Sequence, residues 1–365
     1  MMSYSKGLIR VKGIKIIGLL ILFLSIYSCE KVFIKPKSGT SNTEIFEEYT
    51  QLVAEKYGML EFKKVDMTHL SDSLRPFVTE EMTTDSLFGV LNVIVQRLKD
   101  GHSALFTKDL NGESTNFSGY DFISGYPISL HGGILVDNYV GATVAPEMNS
   151  LGTIGETDLR MIYGRLPQDS EIAYIRIPSF NVSISTEELE TVFQSLNSAK
   201  GMIVDIRGNT GGDPILATNI AAYFTDQEVY IGYENFKIGP GEDDFSKSPA
   251  NLKPASSDYR FLKPVAVLTD RFVYSAATTF CYSVNPLDNV TFIGQRTGGG
   301  SGSVAAGYLA NGWIWNLSVS EFVGVDDDGS EQHLDNGFEP DINVLLDTLD
   351  KTQDEIIERA ILELQ

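Results

Sequence analysis

The sequence predicts an α/β protein whose core is a parallel β-sheet flanked by helices. Three short apolar runs, at 202–206, 264–270 and 290–294, are typical of strands that are buried on both faces. Helical segments that begin at Pro214 and near Ser275 separate these strands. Strands and helices that alternate at this spacing favour a parallel sheet.

The composition is that of a globular protein and limits the partners. The chain has 365 residues, of which 42% are apolar and 21% are charged, so disorder is excluded for most of its length. It carries 28 basic and 49 acidic residues, and a net charge of −21 argues against a nucleic-acid partner. Its only cysteines, Cys29 and Cys281, are too few for a cysteine-based metal site. We therefore expect neither a metal nor a cofactor.

Residues 1–28 are typical of a secretory signal peptide. A basic head precedes an apolar run at 16–27 that is too short to span a bilayer, which needs about 20 residues. The segment IYSC resembles a lipobox and implies lipid attachment at Cys29; a plain signal peptide with a chance cysteine is the alternative. Residues 29–43 then form a tether. We expect an exported, membrane-anchored lipoprotein, on the periplasmic side or at the outer membrane or cell surface.

The next two segments differ in pattern. Residues 44–105 indicate a helical cap region: a weak helical pattern spans 44–57, and a clear one spans 84–100. The apolar face of the second helix consists of Leu87, Leu91, Ile94, Val95 and Leu98. Residues 106–170 are glycine-rich and indicate short strands and loops, with no recognisable carboxylate-binding loop of a PDZ domain.

Residues 171–365 contain the α/β core. Residues 172–177 alternate as a strand, and Ser185 and Glu188 form a capping box for a helix that runs to about residue 200. Further helices are predicted at 214–224 and from Ser275. Thr352 and Glu355 are predicted to cap a final helix.

Three segments could carry chemistry. The turn DIRGNTGGD (205–213) and the serine in TDRFVYSAATTF (269–280) both lie where a strand meets a helix, where free amides attract negative charge. His102 in DGHSAL follows a helix, and histidine suits the general base that a serine nucleophile needs. Taken singly, a tight turn, a helix cap and a structural histidine are the simpler interpretations.

Together with IGQRTGGGSG (293–302) and NGFEPDI (336–342), these segments resemble the tail-specific or C-terminal processing serine peptidases, including the catalytic core of tricorn protease. The resemblance covers about residues 44–341. It implies a crotonase-like (ββα) catalytic core with an N-terminal helical cap.

The resemblance also implies roles for particular residues. Ser275 falls at the nucleophile, and the amides of Ala276 and of Gly211 or Gly212 would form the oxyanion hole. Gly300 stands where many members have a lysine base.

The tricorn-like branch instead uses a histidine from the cap region, which matches His102, and a late carboxylate. Asp335 falls at that carboxylate, with Glu339 and Glu331 as alternatives.

The function implied is a serine-type endopeptidase or carboxyl-terminal processing peptidase acting on peptides or unfolded proteins. A catalytically weak or inactive peptide-binding member of the same fold is the alternative. An acyl-coenzyme A enzyme is disfavoured, because the negative charge of the chain repels phosphates.

Overall fold

The computed structural model describes residues 40–108, 114–122, 160–241, 243–300, 302–326, 328–347, 349–350 and 352–365. The signal peptide (1–28), Cys29 and most of the tether lie outside these residues, as does the greater part of the segment 106–170. Among the described residues, no helix has both the length and the apolar character needed to cross a bilayer.

Seven α-helices and fourteen strands occur in the described residues. The helices are α1 (Asn42–Lys56), α2 (Met67–Leu74), α3 (Thr84–Leu98), α4 (Thr186–Leu196), α5 (Pro214–Ala221), α6 (Ala276–Val284) and α7 (Glu355–Glu363). The strands are β1 (Ala104–Lys108), β2 (Ser114–Gly119), β3 (Ile162–Arg165), β4 (Ile172–Arg176), β5 (Gly201–Asp205), β6 (Val229–Lys237), β7 (Phe245–Leu252), β8 (Val265–Thr269), β9 (Val290–Gly294), β10 (Val304–Tyr308), β11 (Ile314–Ser318), β12 (Ser320–Val325), β13 (Glu331–His333) and β14 (Ile342–Asn343).

A six-stranded sheet forms the core, with strand order β14-β9-β8-β5-β4-β3. Its strands are parallel except β3, which pairs antiparallel with β4 at one edge. Every residue of β4, β5 and β8 is buried, as expected of strands covered by helices on both faces. The α/β prediction is therefore confirmed, whereas the crotonase-like relationship stays a prediction.

Two antiparallel sheets of four strands each accompany the core, in the orders β13-β12-β6-β7 and β10-β11-β1-β2. The sequence did not predict β6, β7 or β10 to β13. Few of the side chains on β6, β7 and β10 are fully buried, so their apolar alternation is weak.

Helices α1 and α3 pack on the second of these sheets. The five residues predicted to form one face of α3 are all buried, in a cluster with Trp313 and Trp315 from the hairpin of β10 and β11. This cluster ties the segment that carries His102 to the strands beside the core.

The predicted caps are partly correct. The capping box of Ser185 and Glu188 is present at the start of α4. The prediction for α7 is wrong: its N-cap is Asp354, whose carboxylate accepts the amides of Ile356 and Ile357 at 3.1 Å. Thr352 instead bonds Asp350.

Asp354 has a second role that is tertiary. It accepts hydrogen bonds from the guanidinium of Arg207 at 2.8 and 3.0 Å, and Arg207 also donates to Asp205. Arg207 and Asp205 are fully buried, and their mutual attraction holds the pKa of Asp205 low despite burial, which alone would raise it. This ion cluster anchors the turn that follows β5 to the C-terminal helix.

Replacing Asp354 with alanine should lower the free energy of unfolding by about 3 kcal/mol, because it leaves a buried guanidinium short of one partner. Urea denaturation measures the change. The matched control is Arg359→Ala, which removes an exposed pair with Glu363 and should cost less than about 0.5 kcal/mol. Equal losses in the two variants would contradict this role.

Candidate active site

Ser275 lies at a sharp turn between the segment after β8 and the start of α6. Its φ is 57° and its ψ is −126°, a conformation that non-glycine residues rarely adopt. The hydroxyl makes no capping bond to α6, so the simpler interpretation of this serine as a helix cap does not hold. A strained turn that presents a serine at a helix N-terminus is typical of a nucleophile.

The turn is held from both sides by backbone contacts. The amide of Ser275 donates to the carbonyl of Gly299 at 2.9 Å, and the amide of Tyr274 donates to the carbonyl of Asn209 at 3.1 Å. Thr278 adds a bond from its hydroxyl to the Gly299 carbonyl at 2.8 Å. The three motifs that the sequence analysis placed in the core, at 205–213, 269–280 and 293–302, therefore meet at Ser275.

Gly211 packs directly against the serine. A Cβ at this position would lie 2.7 Å from Cβ of Ser275 and 3.0 Å from the nitrogen of Ala276, and Gly211 has a φ of 104°. A side chain is therefore excluded by both contact and conformation.

The oxyanion-hole candidates differ in their hydrogen bonds. The Gly211 amide already donates to Oδ1 of Asn209 at 2.9 Å. The amides of Ala276 and Gly212 have no acceptor in the described part of the chain. These two are the available donors beside Ser275, and the Ala276 amide lies at the positive end of α6.

Asp270, to which the sequence assigned no role, organises the same turn. Its carboxylate accepts the amide of Gly208 at 3.0 Å and the amides of Phe272 and Val273 at 2.9 and 3.1 Å. It thereby joins the turn after β5 to the turn after β8. The sequence gives only a weak signal for this role, because aspartates near turns are common in loops.

His102 is positioned by Asp100, which the sequence also left without a role. The buried Asp100 carboxylate accepts the His102 amide at 2.9 Å and the hydroxyls of Ser103 and Ser318 at 2.7 and 2.8 Å. The imidazole contacts the ring of Tyr274, with ring centroids 5.0 Å apart. Nδ1 of His102 is buried and has no hydrogen-bond partner among the described residues.

The structure thus brings the imidazole next to the residue that precedes Ser275. No direct hydrogen bond joins His102 to the Ser275 hydroxyl in the described part of the chain. Burial lowers the pKa of His102 below its ordinary value of 6.5, and the charge of Asp100 opposes this shift. A neutral imidazole is the form that can accept a proton.

Asp335 lies in a short 3-10 turn, Leu334–Asn336, and its carboxylate contacts the ammonium group of Lys63 rather than His102. Burial raises the pKa of Asp335 to about 6, the charge of Asp100 adds to the rise, and Lys63 opposes it. Asp335 and Tyr274 line one cavity of about 310 Å³. Tyr274 therefore contacts the His102 ring and also lines the cavity that Asp335 lines.

The two alternative carboxylates are engaged elsewhere. Glu339 pairs with Arg296 and has a side chain that is 62% exposed. Glu331 is exposed and accepts the hydroxyl of Tyr233 at 2.8 Å. Asp335 is thus the one buried carboxylate of these three.

Gly300 cannot be replaced by the family's lysine without rearrangement. A Cβ at position 300 would lie 2.1 Å from Cζ of Tyr274, and the φ of Gly300 is 67°. The ring of Tyr274 fills the space through which a lysine side chain would run. This contact agrees with a base other than lysine.

A cleft of about 510 Å³ opens over the serine. It is lined by Ile215 and Thr218 at the start of α5 and by the segment from Gly302 to Val304. In the described residues no group of three or more histidine, cysteine or acidic side chains could hold a metal ion. Ser275 is among the residues that line the cleft, so the space lies directly beside its side chain.

Comparison with known sequences matches the chain to a family of peptidases. The model of the family "Peptidase family S41" matches residues 171–344. The carboxy-terminal processing protease CtpA of Bacillus subtilis is 28% identical over 202 residues, which represent 53% of this chain and 41% of that protein. The match thus spans less than half the length of this relative.

Solved structures extend the similarity to most of the chain. The crystal structure of a Parabacteroides merdae protein is 32% identical, with a TM-score of 0.74, and the match covers 89% of this chain and 97% of that one. The photosystem II D1 C-terminal processing protease has the same fold, with a TM-score of 0.54 at 15% identity over 87% of this chain and 98% of that one.

Gly300→Ala should lower the free energy of unfolding by about 2–3 kcal/mol, because the new methyl group collides with Tyr274 in a left-handed backbone. Urea denaturation measures this loss. Gly89→Ala is the matched control, since no atom lies within 4 Å of a Cβ built there, on the exposed side of α3; it should gain about 0.5–1 kcal/mol. A Gly300→Ala variant as stable as the parent would disprove the close contact.

Proposed function

Because the chain belongs to peptidase family S41, we propose that it is a serine peptidase that hydrolyses peptide bonds with Ser275 as nucleophile and His102 as general base. The observation that carries this proposal is the left-handed turn at Ser275, next to two unpaired amides and one residue from a ring that contacts the imidazole. The substrates are peptides or unfolded proteins.

In the proposed reaction, Oγ of Ser275 adds to the peptide carbonyl carbon while His102 accepts the hydroxyl proton. The amides of Ala276 and Gly212 stabilise the oxyanion, and each such donor is typically worth about 3–4 kcal/mol of barrier. Protonated His102 then gives its proton to the leaving amine. Water repeats the sequence on the acyl-enzyme and releases the acid. The imidazole contacts the ring of Tyr274, and the proposed proton transfer requires that it comes within hydrogen-bonding distance of the Ser275 hydroxyl.

Asp335 is proposed to favour the protonated imidazole through its negative charge. In the present arrangement this charge is shared with Lys63, and the buried Asp100 carboxylate supplies a second negative charge near His102. The proposal therefore assigns Asp335 a smaller share than the carboxylate of a directly bonded triad.

Export and lipid anchoring at Cys29 are also proposed. Their support is the basic head, the short apolar run and the cysteine that follows it. In that location the enzyme would meet exported or cell-surface polypeptides.

A fluorophosphonate probe should label the protein, and Ser275→Ala should abolish the labelling. Ser283→Ala, on the same helix α6, is the matched control and should be labelled normally.

His102→Ala should lower kcat/KM for peptide hydrolysis by about 10³-fold, because the general base is lost. Asp335→Asn should have a smaller effect.

Absence of labelling in the parent protein would favour the alternative, a peptide-binding protein with little or no catalysis. Unchanged kcat/KM in His102→Ala would remove this histidine from the mechanism.

The dependence of kcat/KM on pH should separate the roles of His102 and Asp335. Since burial lowers the pKa of His102, the base stays neutral to below pH 6.5, and activity should fall only at lower pH. Lys63→Met removes the cation that holds the pKa of Asp335 down, so this pKa should rise above about 6. If ionised Asp335 is needed, the acidic limb of the profile moves to higher pH.

The control for this shift is Lys200→Met, which loses an exposed pair with Glu171 and should leave the profile unchanged. An acidic limb at the same pH in Lys63→Met and in the parent would show that Asp335 does not support the base.

A further inference from the structure

Strand β10 ends one of the antiparallel sheets beside the active site. In the described part of the chain it pairs only with β11, so its other edge has no partner strand there. The sequence of β10, VAAGY, contains neither a charge nor a proline, which are the usual protections of an exposed edge. Val304 and Tyr308 are 45% and 54% exposed.

The register with β11 fixes which backbone groups are free. Leu309 donates to the Trp313 carbonyl, and Val319 donates to the Ser303 carbonyl, both at 2.8 Å. Antiparallel strands alternate between residues that bond the neighbour and residues that face away. With Ala305 opposite Leu317, the residues whose amides and carbonyls face the free edge are Val304, Ala306 and Tyr308.

The free edge is continuous with the catalytic cleft. Val304, the first residue of β10, lines the same cavity of about 510 Å³ as Ser275 and as Ile215 at the start of α5. The preceding residue, Ser303, is fixed by Glu234, whose carboxylate accepts its amide at 3.0 Å and its hydroxyl at 2.8 Å. The edge is therefore anchored at the end where the reaction would occur.

We propose that the peptide substrate binds as an additional β-strand along the free edge of β10, with backbone hydrogen bonds to Val304, Ala306 and Tyr308. This inference rests on the proposed function and deepens it, because it defines the substrate class. β-Strand addition draws affinity from main-chain bonds, so the enzyme takes extended segments with little regard to side chains. The edge from residue 304 to 308 is about 13 Å long at about 3.3 Å per residue, which corresponds to four or five substrate residues.

The substrate side gives the sharper test, since it uses the unaltered enzyme. A well-cleaved unstructured peptide is resynthesised with one N-methyl group at a time along its backbone. We expect kcat/KM to fall about tenfold at alternate positions, each of which loses one hydrogen bond, and to change little at the positions between them. A profile without this alternation would overturn the proposal.

A second test alters the enzyme. Ala306→Pro removes one amide from the free edge, and edge strands tolerate proline at such positions. Ala306→Ser, which keeps the amide, is the matched control. Ala306→Pro should lower kcat/KM for the peptide about tenfold while its far-UV circular dichroism spectrum matches that of the parent, whereas Ala306→Ser, which keeps the backbone amide, should not lower kcat/KM. Equal peptide activity in the two variants would overturn the proposal.

Three outcomes of these experiments are distinguishable from one another. Dimerisation of the parent that Ala306→Pro abolishes would assign the edge to a second copy of the chain, against the proposal. A parent that neither reacts with a fluorophosphonate nor cleaves any peptide would reject the peptidase function itself. Peptide cleavage with a flat N-methyl profile would reject the β10 site alone.

Discussion

The backbone conformation of Ser275 depends on contacts from three separate segments of the chain. Gly211 leaves room for the serine, the Gly299 carbonyl accepts its amide, and Asp270 ties together the turns after β5 and β8. A left-handed serine costs roughly 1–3 kcal/mol and persists only where its surroundings determine it. These contacts explain why the proposed nucleophile lies at the carboxyl ends of two adjacent parallel strands, where both turns meet.

The buried ion cluster of Arg207 also holds the turn that follows β5. Arg207 connects Asp205, at the end of β5, with Asp354, at the start of α7. The C-terminal helix is thereby coupled to the loop that contains the proposed oxyanion-hole amides, although 147 residues separate Arg207 from Asp354. Such a cluster defines the position of the turn more than it adds stability, because desolvation offsets much of the attraction.

Much of the core could be predicted from the sequence, because buried parallel strands and capped helices leave local patterns. The strands β4, β5, β8 and β9 and the helices α3 and α4 fall within a few residues of their predicted ranges. Strands β6, β7 and β10 were missed, since few of their side chains are fully buried and their apolar alternation is weak. The cap of α7 was misassigned because Asp354 is selected by its bond to Arg207, a tertiary contact that no local pattern reveals.

The candidate site, like the core, could be predicted from the sequence only in part. The motifs brought Ser275, Gly211, Gly212 and Ala276 together, but which amide is free depends on Asn209, whose side-chain orientation only the structure shows. Spacing likewise could not reveal that Asp335 faces Lys63, because the two come from distant parts of the chain.

The packing of Tyr274 on Gly300 also restricts which side chains position 300 can carry. A lysine at position 300 has no room while the tyrosine is present, and loss of the tyrosine removes the ring against which His102 rests. If His102 is the base, as proposed, the choice of base and the residue at position 300 are therefore linked through the position of a single tyrosine ring.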